Sequence, residues 1–367
     1  MKFTVSQSSL AKALLVVTKG MATNSTLPIL SGIYIKATDG MLEFQTTNLT
    51  ISIRHKIAAN VEEAGDTVVS GKILSNIVKT LPDAAITFEG LDRIVAITCD
   101  KSHFRLNTLD PHDFPEFPSF ALERAIELPS DLLSEMVDKV YKVTSKDTSR
   151  PVLGGVLLSV EENVIRLVAT DSYRLAVCDS NVETSSSNEA FQAIVPGAAF
   201  HDVLSSPSMT ETILVGTTDS QVVFTFGNTT YISRKLEGNF PNYRQLLPAS
   251  CNTAVTIDTA EFAAALKRVS VIALANPSVC LEIDADGKVM RMSTSSPDQG
   301  ESTELLPVEV EGDSMSIALN YHYVFDCVNA ISNRKVVTLE LQSTMQPGVF
   351  KSYDKVNYLY LLMPVRM

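Results

Sequence analysis

The sequence predicts an α+β fold made of three tandem copies of one domain, each copy two β-α-β-β-β halves. Three observations carry this: a strand-turn-strand block that recurs with a period of about 120 residues, an amphipathic segment ahead of each block, and a second, shorter helical segment after it. The blocks run from Leu30 to Phe44, from Leu153 to Leu167 and from Val279 to Arg291. Asp39-Gly40 and Asp286-Gly287 mark hairpin turns, because tight turns need positive φ that Gly, Asn and Asp tolerate; Asn163 holds the equivalent place in the middle copy. A period this long is a domain duplication, not a solenoid repeat.

The leading helices are read from apolar residues at helical spacing: Leu10, Ala13, Leu14 and Val17; Leu133, Met136, Val137 and Val140; Phe262, Ala265, Leu266 and Val269. Ser8 or Ser9, Ser130 and Thr259 are the expected caps, since a side-chain oxygen there can accept an orphan backbone N–H. The second helices start near Ser70, Pro196 and Asn320. Short β-rich runs follow them, 85–88, 94–99 and 103–109 in the first copy and 212–215, 221–226 and 231–235 in the second. Phe-Pro signatures at Phe114-Pro115 and Phe240-Pro241 precede Pro-rich stretches, which place linkers near 118–126 and 245–253 and domains at 1–122, 126–248 and 252–367.

A chain of 367 residues exceeds what one core serves, and 45% hydrophobic with 20% charged residues is globular composition. No apolar run reaches signal-peptide or membrane-spanning length. Five scattered cysteines without Cys-x-x-Cys spacing argue against a disulfide framework and a zinc site, so a reducing cytoplasm and no cofactor are expected. Nucleophile elbows, phosphate loops, dinucleotide fingerprints and His-Glu-x-x-His are absent, and the five histidines share no ligand spacing. That composition favours a binding protein over an enzyme.

The net charge of −12 weighs against nucleic acid until its location is considered. The helical segments 8–25, 71–80, 130–150, 196–207, 259–276 and 320–335 hold twelve basic and seven acidic residues, a balance of +5, while the other 18 basic and 35 acidic residues leave −17. The twelve are Lys12, Lys19, Lys72, Lys79, Lys139, Lys142, Lys146, Arg150, Lys267, Arg268, Arg334 and Lys335. Solvated helix faces often favour Lys. The same asymmetry also suits helices that face a polyanion inside an acidic shell, which tolerates phosphate without sequence-specific binding.

Met1 to Val5, Thr26 to Leu30, Ala169 to Val177, Phe240 to Arg244 and Met363 to Met367 together resemble signatures of the bacterial sliding clamps, the β subunits of DNA polymerase III, and the resemblance spans the whole chain. It implies three clamp domains per chain and a head-to-tail homodimeric ring, with helices lining a pore for duplex DNA and sheets outside. It implies a non-catalytic processivity factor without a membrane. Its partners would be the polymerase III catalytic subunit, the clamp loader, other polymerases, ligase and mismatch-repair proteins, which dock short linear motifs. The matching pocket positions are Leu153, Thr170, Ser172, Tyr173, Arg174, Leu175, Pro241, Leu246, Asn320, Tyr323, Met345, Leu361, Met363, Pro364, Val365 and Arg366, with Arg174 and Arg366 suited to hold carbonyls or a carboxylate. Phe104 and Leu106 on one side and Ile272 and Leu274 on the other match the dimer contact. The chain departs from the family at Asn24, Gly197 and Ala198, where basic residues are common, and at Ser172-Tyr173, often Gly-His. An acidic interaction scaffold that never encircles DNA is the alternative reading.

Overall fold

A computed structural model describes residues 1–23, 25–182, 191–273 and 277–366. Among them are six α-helices: α1 (Gln7–Val17), α2 (Gly71–Thr80), α3 (Ser130–Val140), α4 (Gly197–Leu204), α5 (Thr259–Val269) and α6 (Tyr321–Ala330). The apolar stripes that predict the leading helices are their buried faces, Leu10, Ala13, Leu14 and Val17 in α1 for instance. Each large aliphatic side chain so buried contributes about 1.5–3 kcal/mol.

The helices differ from the sequence reading in two details. The helices stop sooner, since α1 tightens into the turn Thr18–Gly20 and α3 into Tyr141–Val143, where β-branched residues and a glycine lower helix propensity. The caps lie earlier. Ser6 Oγ accepts the Ser9 N–H at 3.2 Å, and Asp258 Oδ1 accepts the Glu261 N–H at 2.9 Å. Thr259 and Ser130 are instead first helical residues, with buried hydroxyls that have no partner among the described residues.

Around the helices the strands repeat as six β-α-β-β-β halves, two per copy. Lys2–Ser6 leads into α1, then Gly32–Thr38, Met41–Thr47 and Ile51–Ala58; Gly65–Ser70 leads into α2, then Ala85–Leu91, Ile94–Cys99 and Ser102–Leu109. Two short extra strands, Asn60–Glu63 and Glu309–Gly312, occupy the same place in the first and third copies. The Asp39-Gly40 turn has φ of 49° and 77°, as a two-residue hairpin requires. The third copy turns differently: Asp284 pairs with Val289 across four residues, Lys288 takes the left-handed conformation at φ 50°, and Gly287 donates its N–H to Asp284 Oδ1.

The chain packs as two compact units. In the first, residues 1–133 and 198–235, a 13-stranded sheet runs from Arg124–Pro129 through Thr212–Thr217, Gln221–Phe226 and Thr229–Arg234 into Ile51–Ala58 and on through the first copy. The second unit is built from residues 134–182, 191–197 and 236–366. Its nine-stranded sheet joins Arg174–Asn181 to Asn357–Leu362, and a four-stranded sheet has the order Gly300–Pro307, Val289–Ser296, Ser278–Asp284, Met315–Asn320. Within each unit, an edge strand of the middle copy thus continues the sheet of a neighbouring copy by antiparallel pairing.

At the first of these seams His55 lies opposite Thr229, and its Nδ1 is 2.8 Å from the Thr229 hydroxyl. Burial holds its pKa below the ordinary 6.5. The unfolded chain therefore takes the proton more readily, and stability is complete above the ordinary value and lost as pH falls through it. Thermal melts between about pH 8 and about pH 5.5 should show a steeper acid loss for the native chain than for His55→Gln. Parallel pH profiles for the two would remove His55 as the cause.

Candidate peptide pocket and basic faces

In the second unit, Leu175 pairs with Leu361, which pairs on its other side with Val349. These three join Leu157, Val168, Val177, Ile194 and Tyr243 in one apolar cluster, against which Val152, Phe240 and Leu247 pack half-buried. Two neighbours of expected positions also meet this cluster. Val152 reaches the cluster while Leu153 lies buried beside it, its carbonyl accepting the Ser145 N–H; Leu247 packs inward while Leu246 is 52% exposed. The Phe-Pro-Asn-Tyr signature is the sequence signal for Phe240 and Tyr243, the latter seated by its N–H on the Pro241 carbonyl at 2.8 Å. Nothing in the pattern singled out Val152 or Leu247.

Above this floor the Tyr173 carbonyl accepts the Met363 N–H at 2.9 Å, and Val365 donates to the Ala318 carbonyl at 2.9 Å. The C-terminal tail is thus held on both sides, with Pro364 and Val365 half-buried and Arg366 exposed. Tyr173 and Met345 are 63% and 69% exposed, and Met363 is exposed as well. Thr170 is buried, its hydroxyl donating to the Arg174 carbonyl, and the Asn320 side chain caps α6 by accepting the His322 N–H.

Arg174 has a different task from the one its exposure-blind sequence position suggests. It is 7% exposed, and its guanidinium donates to Asp171 at 2.9 Å, Asp326 at 2.5 Å, the Tyr360 hydroxyl at 3.1 Å and the Lys142 carbonyl at 2.9 Å. It also lies 4.2 Å over the Tyr323 ring, whose carbonyl accepts the Tyr360 hydroxyl. Arg174 is thus a bracket engaged within the protein, whereas Arg366 is exposed. Burial pushes the nearby Cys178 and Cys327 thiols up, which leaves them unreactive.

The basic residues divide the same way. Lys139 is not on a DNA-facing surface: it is 4% exposed, donates to the Ala330 carbonyl at 2.6 Å and pairs with Glu135 at 3.5 Å. Arg334 bridges Glu135 and Asp354, Arg268 forms a fork with Glu304 at 2.8 Å, and Lys19 binds the Asp202 carbonyl at 2.8 Å. Exposed and without an ion pair among the described residues are Lys12, Lys72, Lys79, Lys142, Lys146, Arg150, Lys267 and Lys335. Lys72 and Lys79 line a cavity of about 470 Å³ between α1 and α2, along with Leu14, Leu15, Met21 and Val78. Gly197 and Ala198 open α4; Asn24 lies outside the described residues.

Phe104 and Leu106 are half-buried on one face of Ser102–Leu109. That strand pairs along its length with Ile94–Cys99, but on its other side only Thr108 and Leu109 meet Gly65–Ser70. Its 102–107 stretch is therefore an open edge among the described residues. Gly300–Pro307 is an edge strand too, packed against α5; the sequence pattern did not mark it as an interface. Ile272 is half-buried beyond α5, and Leu274 lies outside the described residues.

Repeated β-α-β-β-β halves, an apolar cluster beside which the C-terminal tail is held, and exposed cations without an ion pair among the described residues are the features the fold presents. Residues 1–118, 127–242 and 244–366 match, in order, the N-terminal, central and C-terminal domains of the DNA polymerase III beta subunit. A beta sliding clamp of Staphylococcus aureus is 31% identical over 100% of this chain and 99% of its own, and that of Bacillus subtilis 27% identical over 100% of both. Crystal structures of the DNA polymerase sliding clamp from B. subtilis and of the beta subunit from Thermotoga maritima superpose with TM-scores of 0.93 and 0.92, at 27% and 28% identity, covering 100% of this chain and 99% of theirs. The chain belongs to the DNA polymerase III beta subunit family, the beta sliding clamps. That family is a processivity factor of DNA polymerase and not an enzyme.

Replacing Arg174 strands two carboxylates in a poorly solvated place, so Arg174→Ala should cost about 2–4 kcal/mol in denaturant unfolding, and Arg174→Lys should recover little because one ammonium cannot span four acceptors. A loss below about 1 kcal/mol would show the bracket to be dispensable.

Proposed function

We propose that two copies of this chain close head to tail into a ring around duplex DNA in the cytoplasm, with three domains per chain at 1–122, 126–248 and 252–367. Open edges carry the reading. The sheet of each unit is completed by strands from neighbouring copies, yet 102–107 and Gly300–Pro307 each keep a row of backbone groups unpaired. An open edge in the first copy and another in the third fit a heterologous contact, which closes into a ring when its rotation permits. Phe104, Leu106, Ile272 and Leu274 would cover the joint with apolar surface.

Lys12, Lys72, Lys79, Lys142, Lys146, Lys267 and Lys335 would face the phosphates as mobile point charges, together with the Arg150 guanidinium, favouring sliding over a fixed register. Lys19, Lys139, Arg268 and Arg334 are engaged by other groups of the chain, Arg268 at the surface by Glu304, and are left out of this set. The pocket would receive linear motifs from the polymerase III catalytic subunit, the clamp loader, other polymerases, ligase and mismatch-repair proteins. Its aliphatic floor takes apolar side chains, Met345 and Met363 adapt to their shape, and Arg366 meets a carbonyl or carboxylate.

Topology gives the sharpest test. Once loaded, the protein should stay on a circular plasmid at salt that strips simple phosphate contacts and leave when the plasmid is linearised. Equal retention on both forms would describe an ordinary DNA binder, and retention on neither a scaffold. For the pocket, deleting residues 363–367 should abolish binding of a labelled polymerase motif peptide while the particle mass stays unchanged. Peptide affinity that survived the deletion would reject the pocket.

A further inference from the structure

Ser172 carries a conformational cost that its backbone does not explain. Its φ is +79°, in the left-handed region that non-glycine residues adopt at a price of strain. The surrounding backbone bonds are ones glycine could also make: the Ser172 N–H donates to Thr170 Oγ1 at 3.3 Å, and Asp171 Oδ1 accepts the N–H groups of Tyr173 and Arg174 at 3.0 Å each. What only the serine supplies is Oγ. That atom accepts a hydrogen bond from Nη1 of Arg150 at 2.9 Å.

The next residue, Tyr173, holds the C-terminal tail through its carbonyl and the Met363 N–H. A continuous path therefore leads from Arg150, through the Ser172 hydroxyl and the Tyr173 carbonyl, to the pocket wall. Arg150 is exposed and forms no close ion pair among the described residues, the Asp147 carboxylate acting on it only through space. A phosphate would form an ion-to-ion hydrogen bond with it, stronger than the bond to a neutral hydroxyl.

We propose that Arg150 is a positioning residue of the peptide pocket, and that a DNA phosphate competes with Ser172 for its guanidinium. The proposal rests on the pocket reading above. When Arg150 bonds Ser172, the loop is held in its strained form and the tail is seated for a peptide. When Arg150 turns to a phosphate, the loop loses that restraint and the pocket binds more weakly. The effect is reciprocal by linkage: a bound peptide weakens the DNA contact at Arg150 by the same factor. Arg150 alone of the exposed cations has such a bond to the pocket loop among the described residues.

The test is fluorescence anisotropy with a labelled synthetic peptide copying a polymerase motif, on the full chain. Arg150→Ala should weaken peptide binding about 3- to 10-fold, the size expected for one charge-assisted hydrogen bond. In a Ser172→Gly background, Arg150→Ala should have no further effect, which a general structural or electrostatic role would not produce. Adding a short blunt DNA duplex should weaken peptide binding to the native chain and leave the Arg150→Ala chain unmoved. Unchanged affinity in Arg150→Ala, or an equal loss with and without Ser172, would overturn the proposal while the pocket stands. Peptide binding that survives deletion of residues 363–367 would instead overturn the pocket reading and this proposal with it.

Discussion

Unpaired strand edges are the constraint on which this molecule is built. A β-α-β-β-β half exposes an edge whose N–H and C=O groups need partners, and a chain made of such halves must pair, cover or use every edge it creates. Thr229–Arg234 meets Ile51–Ala58 in one unit, and Arg174–Asn181 meets Asn357–Leu362 in the other, so successive copies satisfy each other's edges by backbone bonding. The second seam also carries function. Leu175 and Leu361 come opposite each other because of it, and the Asp171–Tyr173 loop that enters one strand lies where it can hold the tail that leaves the other. Two of the edges this scheme leaves over, 102–107 and Gly300–Pro307, are the ones proposed to meet the second copy; others, such as Arg124–Pro129 and Phe191–Pro196, simply end their sheets.

Charge follows from the same architecture. A chain of −12 can serve DNA only if its cations are separated from its carboxylates, and the structure sorts them residue by residue. Where a basic side chain leans toward packed strands or helices, as Lys139 and Arg334 do, it meets Glu135 and structural carbonyls and its charge is consumed. Where it projects from a short helix or the turn after one, as Lys72, Lys79 and Lys146 do, it stays solvated and unpaired among the described residues. Solvated lysines of this kind bind phosphate weakly and exchange quickly, in keeping with movement along DNA.

Repetition made the fold legible in the sequence. Apolar spacing at Leu10, Leu14 and Val17, with its counterparts in α3 and α5, gave helices whose buried faces are those residues, because periodicity reports burial directly. Local competition was harder to see. Asp258 displaced Thr259 as cap because a carboxylate one residue earlier accepts the orphan N–H, and Asp286-Gly287 yielded to a four-residue turn with Lys288 left-handed. In the site, family resemblance named Arg174 and Lys139 without their surroundings. Sequence alone does not show that Asp326 and Tyr360, far along the chain, close around the first, or that the Ala330 carbonyl takes the second. The Arg150–Ser172 bond is likewise a product of tertiary placement.

The edge at 102–107 is the place to test this account. Hydrogen–deuterium exchange resolved to single backbone amides would separate those facing Ile94–Cys99, bonded within the chain, from the alternating set that faces outward. If a second copy completes this sheet, both sets will be protected. Outward amides that exchange at the rate of a bare strand, while their inward neighbours stay protected, would contradict edge pairing as the basis of assembly.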